Sequence, residues 1–250
     1  MTIRHDGLQV DWLGYATTRL EAPNGTVVYL DPGRYGVLSG GWTSPTNEDL
    51  PHPEPQNEYP KDGDVICVTH DHHYDSDAIT RVAKSDATLV VYEAVDASNI
   101  DRDVEAVEDL PYEVVRVGDE SYLSEAGVDV WTVPAYNEPD GPRVKADGSV
   151  SHPEGFGCGF KVALGGVTVF WPGDSDALDG YAELDVSLFL ANIGGTVVSD
   201  RHESAELAEA MDPDLVLPVH YNTIDILTTD SGEFAKDVAR RGIPVVLDEQ

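Results

Sequence analysis

Apolar runs that end abruptly in metal-binding residues are what most narrow the folds open to this chain. Val65-Ile66-Cys67-Val68 leads into Thr69-His70-Asp71-His72-His73-Tyr74-Asp75, Val169-Phe170-Trp171-Pro172-Gly173 into Asp174, and Val216-Leu217-Pro218-Val219 into His220. His152 stands just before another run, which opens at Gly157. Such runs read as buried strands. Neutral imidazole nitrogen and carboxylate oxygen together bind zinc, manganese or iron. On an extended stretch residues two apart point the same way, so His70 and His72 can grip one ion. A histidine at a strand end can equally be a solvated loop residue. The 70–75 cluster alone supplies too few ligands, so His152, Asp174 and His220 have to converge on it from other strands.

The first third alternates as a β-meander, Leu8 to Leu13, Thr17 to Glu21 and Thr26 to Leu30, broken at Gly14 and at Pro23-Asn24-Gly25. Gly36 to Gly63 is rich in Pro, Gly, Asn and Glu and reads as a long loop, a lid or solvated ornament, with His52 an ordinary member of it. Beyond Val65, strands and helices alternate. Helices are expected at Asp77 to Lys84, Glu93 to Ile100, Glu203 to Met211 and Gly232 to Arg241. Strands are expected at Thr88 to Tyr92, Glu113 to Val117, Val128 to Pro134, Gly157 to Leu164, Val167 to Trp171, Val186 to Leu190, Leu215 to Val219 and Pro244 to Leu247. No repeat or heptad interrupts this, and one domain over residues 1–250 is the simplest organisation. The pattern suits two packed sheets with helices outside.

Charge restricts the partners. There are 47 Asp and Glu against 15 Lys and Arg, a formal net charge of −32. That self-repulsion becomes tolerable at high salt, where the Debye length shrinks to about 3 Å near roughly 1 M, so the composition reads as adaptation to a salt-rich, halophilic cytoplasm. It argues against a nucleic-acid partner. No run approaches the roughly 18 apolar residues of a membrane span, and the N-terminus lacks a signal-peptide core. A soluble cytoplasmic protein acting on a small molecule, without nucleic acid or membrane as partner, is expected. Cys67 and Cys158 are expected to be buried free thiols.

Read in order, Trp12-Leu13-Gly14-Tyr15-Ala16-Thr17-Thr18, Leu30-Asp31-Pro32, Thr69-His70-Asp71-His72, His152-Pro153, Trp171-Pro172-Gly173-Asp174-Ser175-Asp176, Ile193-Gly194-Gly195 and Pro218-Val219-His220-Tyr221 resemble the metallo-β-lactamase superfamily. The resemblance spans almost the whole chain. It is strongest to the hydrolase branch of the ascorbate-6-phosphate lactonases and N-acylphosphatidylethanolamine phospholipase D. It implies an α/β fold, a four-layer αββα sandwich with the site on one edge. His70, His72 and His152 would then bind one metal, Asp174 would bridge two, and His220 would help bind the second. One or two divalent ions are implied, zinc first, with manganese or iron as alternatives.

The chain departs from the family's His-x-His-x-Asp-His, reading His70-Asp71-His72-His73-Tyr74-Asp75. Asp75 is expected to replace the missing ligand, with His73 the weaker candidate, and Tyr15 stands where many relatives have histidine. His202, at a helix start, is a further candidate for touching substrate. The resemblance implies a hydrolase in which a metal-bound water attacks an ester, lactone, amide or phosphodiester, with Asp174 orienting the nucleophile and Asp75 shuttling the proton. The altered ligands at Tyr74 and Asp75 motivate a rival reading, a non-catalytic metal- or ligand-binding protein with a degenerate second site.

Overall fold

The computed structural model describes residues 2–39 and 59–249. His52 and most of the long loop lie outside the described residues. In the first sheet β1 (Ile3–His5), β2 (Leu8–Gly14), β3 (Thr17–Glu21), β4 (Val27–Leu30), β5 (Gly63–Val68), β6 (Ala83–Tyr92) and β7 (Glu113–Val117) lie side by side in chain order. β1 to β4 pair antiparallel, as the meander implies, and β4 to β7 pair parallel. Helix α1 (Ser76–Val82) is the crossover between β5 and β6. The second sheet contains β8 (Tyr122–Glu125), β9 (Val128–Ala135), β10 (Gly157–Leu164), β11 (Val167–Trp171), β12 (Leu188–Asn192) and β13 (Leu215–Val219) in that spatial order. Its first four strands pair antiparallel and its last three parallel.

Burial follows pairing. Antiparallel β2 alternates buried and half-buried residues along its length, whereas parallel β4 and β12 are buried throughout. Helices α2 (Arg201–Met211) and α3 (Ser231–Arg240) pack on each other, and α2 also rests on β12. Asp200 starts α2 through a capping box with Glu203. One apolar core runs through both sheets, with Trp12 of β2 stacked on Tyr221 just past β13, ring centroids 4.8 Å apart. This is the α/β sandwich of the metallo-β-lactamase type. Cys67 and Cys158 are both buried and free.

Two expected elements differ. Glu93 to Ile100 forms only a 3-10 turn at Ala97–Asn99, because Asp96 caps it by accepting from the Ser98 N–H, and the chain leaves helical conformation at Ile100. Pro244 to Leu247 is not a full strand; it touches the sheet through a single bridge between Val245 and Val216. What positions the site is the parallel pairing. β4, β5, β11 and β13 deliver Asp31, His70, Asp174 and His220 just beyond their carboxyl ends, where ligands collect in sheets of this kind.

Candidate metal centre

Seven donor contributions converge in two overlapping groups around one carboxylate. His70, His72, His152 and Asp174 form the first; His73, Asp174 and His220 form the second, the donor atoms of each lying within 4.8 Å of one another. In the first group His72 Nδ1 is 3.0 Å from His152 Nε2, and Asp174 Oδ2 is 3.2 Å from His152 Nε2 and 3.6 Å from His70 Nε2. In the second, His73 Nε2 is 3.1 Å from His220 Nε2, and Asp174 Oδ1 is 3.4 and 3.6 Å from those two nitrogens. Ligands held tetrahedrally at about 2.0–2.1 Å from zinc are separated by about 3.3 Å, so the donors are already spaced for an ion.

The outward nitrogens fix which atoms face inward. His73 Nδ1 is 2.8 Å from Asp31 Oδ2, His70 Nδ1 is 2.8 Å from the Thr69 hydroxyl, and His152 Nδ1 is 3.1 Å from the Val197 carbonyl. A proton on each Nδ1 donates to that oxygen, which leaves each Nε2 lone pair pointed into the cluster. Asp31 is itself held by the Thr69 N–H at 2.8 Å and the Trp171 indole N–H at 2.7 Å. Asn137 clamps His152 from both sides of its backbone, accepting from the His152 N–H and donating to its carbonyl. Among the described residues, His70 Nε2 and Asp174 Oδ1 are buried with no hydrogen-bond partner, the state expected of atoms reserved for a metal.

Protonation agrees with that geometry. Burial pushes His70 down to about 4, helped by the charge of His73, and pushes His72 and His220 down to about 3. Neutral imidazole is the form that ligates. Asp174 is opposed by burial, yet His220, His73 and His152 hold its carboxyl well below the usual carboxylate range. His73 moves the other way: against burial, Asp174 and Asp31 raise it.

Backbone strain gathers at the same place. Tyr15, Asp31, Arg34, Tyr35 and His220 all have φ between 44° and 65°, a region costly for residues with a Cβ. His220 is held there by its N–H donating to the Tyr15 carbonyl at 3.0 Å. At the opening of the cluster a cavity of about 230 Å³ is walled by Tyr15, Arg34, His72, Val197, Ile224 and Leu227.

The family profile described as "Beta-lactamase superfamily domain" matches residues 9–220. A UPF0173 metal-dependent hydrolase from Pyrococcus furiosus is 30% identical over 96% of this chain and 96% of its own length. The chain belongs to this family of metal-dependent hydrolases. Solved structures share the fold: one from Parabacteroides distasonis, described as a metal-dependent hydrolase, superposes with TM-score 0.70 at 21% identity over 99% of this chain and 96% of that one. The diiron β-hydroxylase CmlA from Streptomyces venezuelae does so with TM-score 0.64 at 15% identity, over 97% of this chain and 53% of its own.

In this hydrolase the structure corrects the expectation for Asp75. Its carboxylate caps α1, Oδ1 accepting from the Ala78 N–H at 3.0 Å and Oδ2 from the Arg34 N–H at 2.9 Å, so both oxygens are engaged away from the cluster. It is placed neither to ligate nor to shuttle a proton there. Gly33, at φ 115°, lets the chain pass so close that a Cβ on it would meet Asp75 Cβ at 2.8 Å. Tyr74 is buried with its hydroxyl on the Glu105 carbonyl at 2.7 Å.

His73 takes the position instead. The N–H groups of His73 and Tyr74 both bond the His70 carbonyl, so the segment after β5 is a tight turn, not an extended strand, and the His73 ring swings in beside His220. Gly157 permits the turn to sit against β10, since a Cβ there would meet His70 Cβ at 2.7 Å. His70, His72, His152, Asp174 and His220 are brought together as the sequence implies. His202 is not; it is exposed on α2 and faces Asp237 of α3 at 3.8 Å. Asn137 carries no signal in the sequence, and Asp31 stands there only within the Leu30-Asp31-Pro32 motif. Asp31 carried the same signal as the ligands, a carboxylate directly after a buried strand.

Proposed function

We propose that this hydrolase cleaves an ester, lactone, amide or phosphodiester of a small molecule, with His70, His72, His152 and Asp174 holding one divalent ion and His73, Asp174 and His220 a second. The observation that carries this is the set of inward Nε2 atoms of His70, His73 and His152, each fixed by an oxygen on its Nδ1 and grouped around Asp174, whose Oδ1 has no hydrogen-bond partner. Divalent ions bound there would lower the pKa of water towards neutrality and withdraw charge from the bond under attack. Asp174, kept ionised by the surrounding histidines, presents one oxygen to each group and can orient a nucleophile between them. Tyr15 is buried at the mouth and its pKa is raised by burial, so its hydroxyl acts as a hydrogen-bond donor and not as a base. Val197, Ile224 and Leu227 give the mouth an apolar wall that excludes water from a bound substrate.

The nitrogen-rich donor set favours zinc, with manganese or iron able to use the same ligands. The motif order favours the branch of ascorbate-6-phosphate lactonase and phospholipase D relatives. The net charge of −32 favours work in a salt-rich cytoplasm, and no helix among the described residues is long and apolar enough to cross a membrane. With His73 in the cluster, the altered Tyr74-Asp75 pair no longer argues for a non-catalytic binder. The test is a panel of esters, lactones, amides and phosphodiesters assayed at high salt. Turnover that disappears with chelator, returns with zinc or manganese and is absent in Asp174→Ala supports the reading; chelator-resistant turnover or full activity in that variant contradicts it.

A further inference from the structure

Cations are scarce in this chain, and most that are buried or half-buried are matched to acids: Arg19 to Asp11, Glu21 and Asp62, and Arg143 to Asp176 and Glu203. Arg34 and Arg102 depart from this. Both are half-buried, and neither forms an ion pair with a carboxylate among the described residues. They line one cavity of about 360 Å³ together with Asp71, His72, Asn99 and Phe156. Each is tethered to the turn that carries the histidines. Arg34 Nη1 donates to the His72 carbonyl at 3.1 Å, and Arg102 Nη2 donates to the Tyr74 carbonyl at 2.8 Å. Among the described residues Nε and Nη2 of Arg34, and Nε and Nη1 of Arg102, have no acceptor.

Two guanidinium groups facing one space repel each other. Burial lowers the Arg102 pKa, and the next largest cause is the charge of Arg34. The acids nearby offset this only in part, Asp75 raising the Arg102 pKa less than burial and Arg34 lower it, and their oxygens are engaged elsewhere. Asp71 is buried with Oδ1 accepting from the Asp96 N–H at 2.8 Å, Asp101 is exposed at the rim, and the Asp75 oxygens are taken by α1 and the Arg34 N–H. Arg34 and His72 also wall the cavity above the metal cluster, so the two spaces adjoin.

We propose that the cavity between Arg34 and Arg102 is a subsite for an anionic oxygen group of the substrate, a phosphate or a carboxylate, held beside His72 while the scissile bond lies at the metal centre. Planar guanidinium forks match such groups with paired hydrogen bonds. On a chain dominated by acids, two guanidinium groups with free donors on one cavity would give an anionic group selectivity as well as affinity. The purpose of the subsite rests on the hydrolase reading; the binding of an anion to it does not.

The test is calorimetric titration of the metal-loaded protein with inorganic phosphate and, separately, acetate, at one fixed potassium chloride concentration, with metal content measured in every variant. Arg34→Gln and Arg102→Gln should each weaken phosphate binding about tenfold or more at full metal content, the scale of a lost charge-assisted hydrogen bond. Arg34→Lys and Arg102→Lys should retain most of it. Binding of phosphate alone would assign the subsite to phosphoryl groups, and comparable binding of acetate would extend it to carboxylates. Undiminished phosphate binding in both glutamine variants, no binding of either anion to the parent protein, or loss of metal from both glutamine variants would overturn the proposal; the last would make the arginines supports of the histidine turn. Intact phosphate binding without turnover of any substrate would instead count against the hydrolase reading.

Discussion

The two halves of the centre are built to different standards of enclosure. In the half formed by His73, Asp174 and His220 every residue is buried, and Asp31 grips the outer nitrogen of His73 while itself held by Thr69 and Trp171. In the half formed by His70, His72, His152 and Asp174, His72 is only half-buried and borders both cavities. Its inward nitrogen is Nδ1, whereas the other histidines present Nε2. Burial and a carboxylate support fix the inner group, and half-buried His72 leaves the outer group open to the adjoining cavities. Enclosure and access are thereby divided between two donor groups that share Asp174.

The sharpest way to break this division is to remove what both halves share. Asp174→Ala should lose both ions and lower kcat/KM by about a thousandfold or more, checked by elemental analysis alongside turnover, because the variant takes a ligand from each site. Asp31→Asn should act on the inner half alone, weakening metal affinity there by about 10–100-fold while the outer ion stays, as expected for loss of a carboxylate that orients a ligating histidine. Competition with a chelator would resolve the two affinities.

Acid should expose the same arrangement in metal-free protein. His70, lowered to about 4, and His72 and His220, lowered to about 3, bind protons more readily when unfolded, where imidazole titrates near about 6.5. Their neutral forms therefore favour the fold fully above about 6.5, and that contribution falls as pH drops towards 4 and 3. His73 is raised and runs the other way, its contribution present below about 6.5 and lost as pH rises through its folded value. Three groups against one predict lower stability at pH 5 than at pH 7 in chemical denaturation, with the slope steeper once metal is bound, because the ion also keeps His73 neutral in the folded state while all four histidines still take up protons on unfolding. The smallest effect belongs to Asp75→Ala, which should cost about 1 kcal/mol of stability through loss of the α1 cap, readable as a shifted denaturation midpoint.

These contrasts also show why the sequence was readable in some places and not in others. His70, Asp174 and His220 could be recognised because each follows a buried strand, and parallel strands of one sheet end on the same side. His73 carries a weaker signal than Asp75 for a physical reason. Period-two reasoning holds while the chain is extended, but the bonds from His73 and Tyr74 back to the His70 carbonyl end the strand and reset which side chains point inward. Asp75 reads as a ligand in the sequence because a carboxylate close to a metal motif and a helix N-cap look alike until the fold brings the Ala78 N–H to it. Arg34 and Arg102 come from segments without periodicity, and only the fold sets them on one cavity. The helix expected at Glu93 to Ile100 failed on local competition, since Asp96 bonds its own turn.

Metal stoichiometry tests most directly whether His73, and not Asp75, serves the inner group. Protein purified at high salt without chelator, together with His73→Ala and Asp75→Ala, would be measured by elemental analysis. Two ions per chain are expected in the parent, one in His73→Ala and two in Asp75→Ala. Two ions retained in His73→Ala, with one lost from Asp75→Ala, would contradict this assignment.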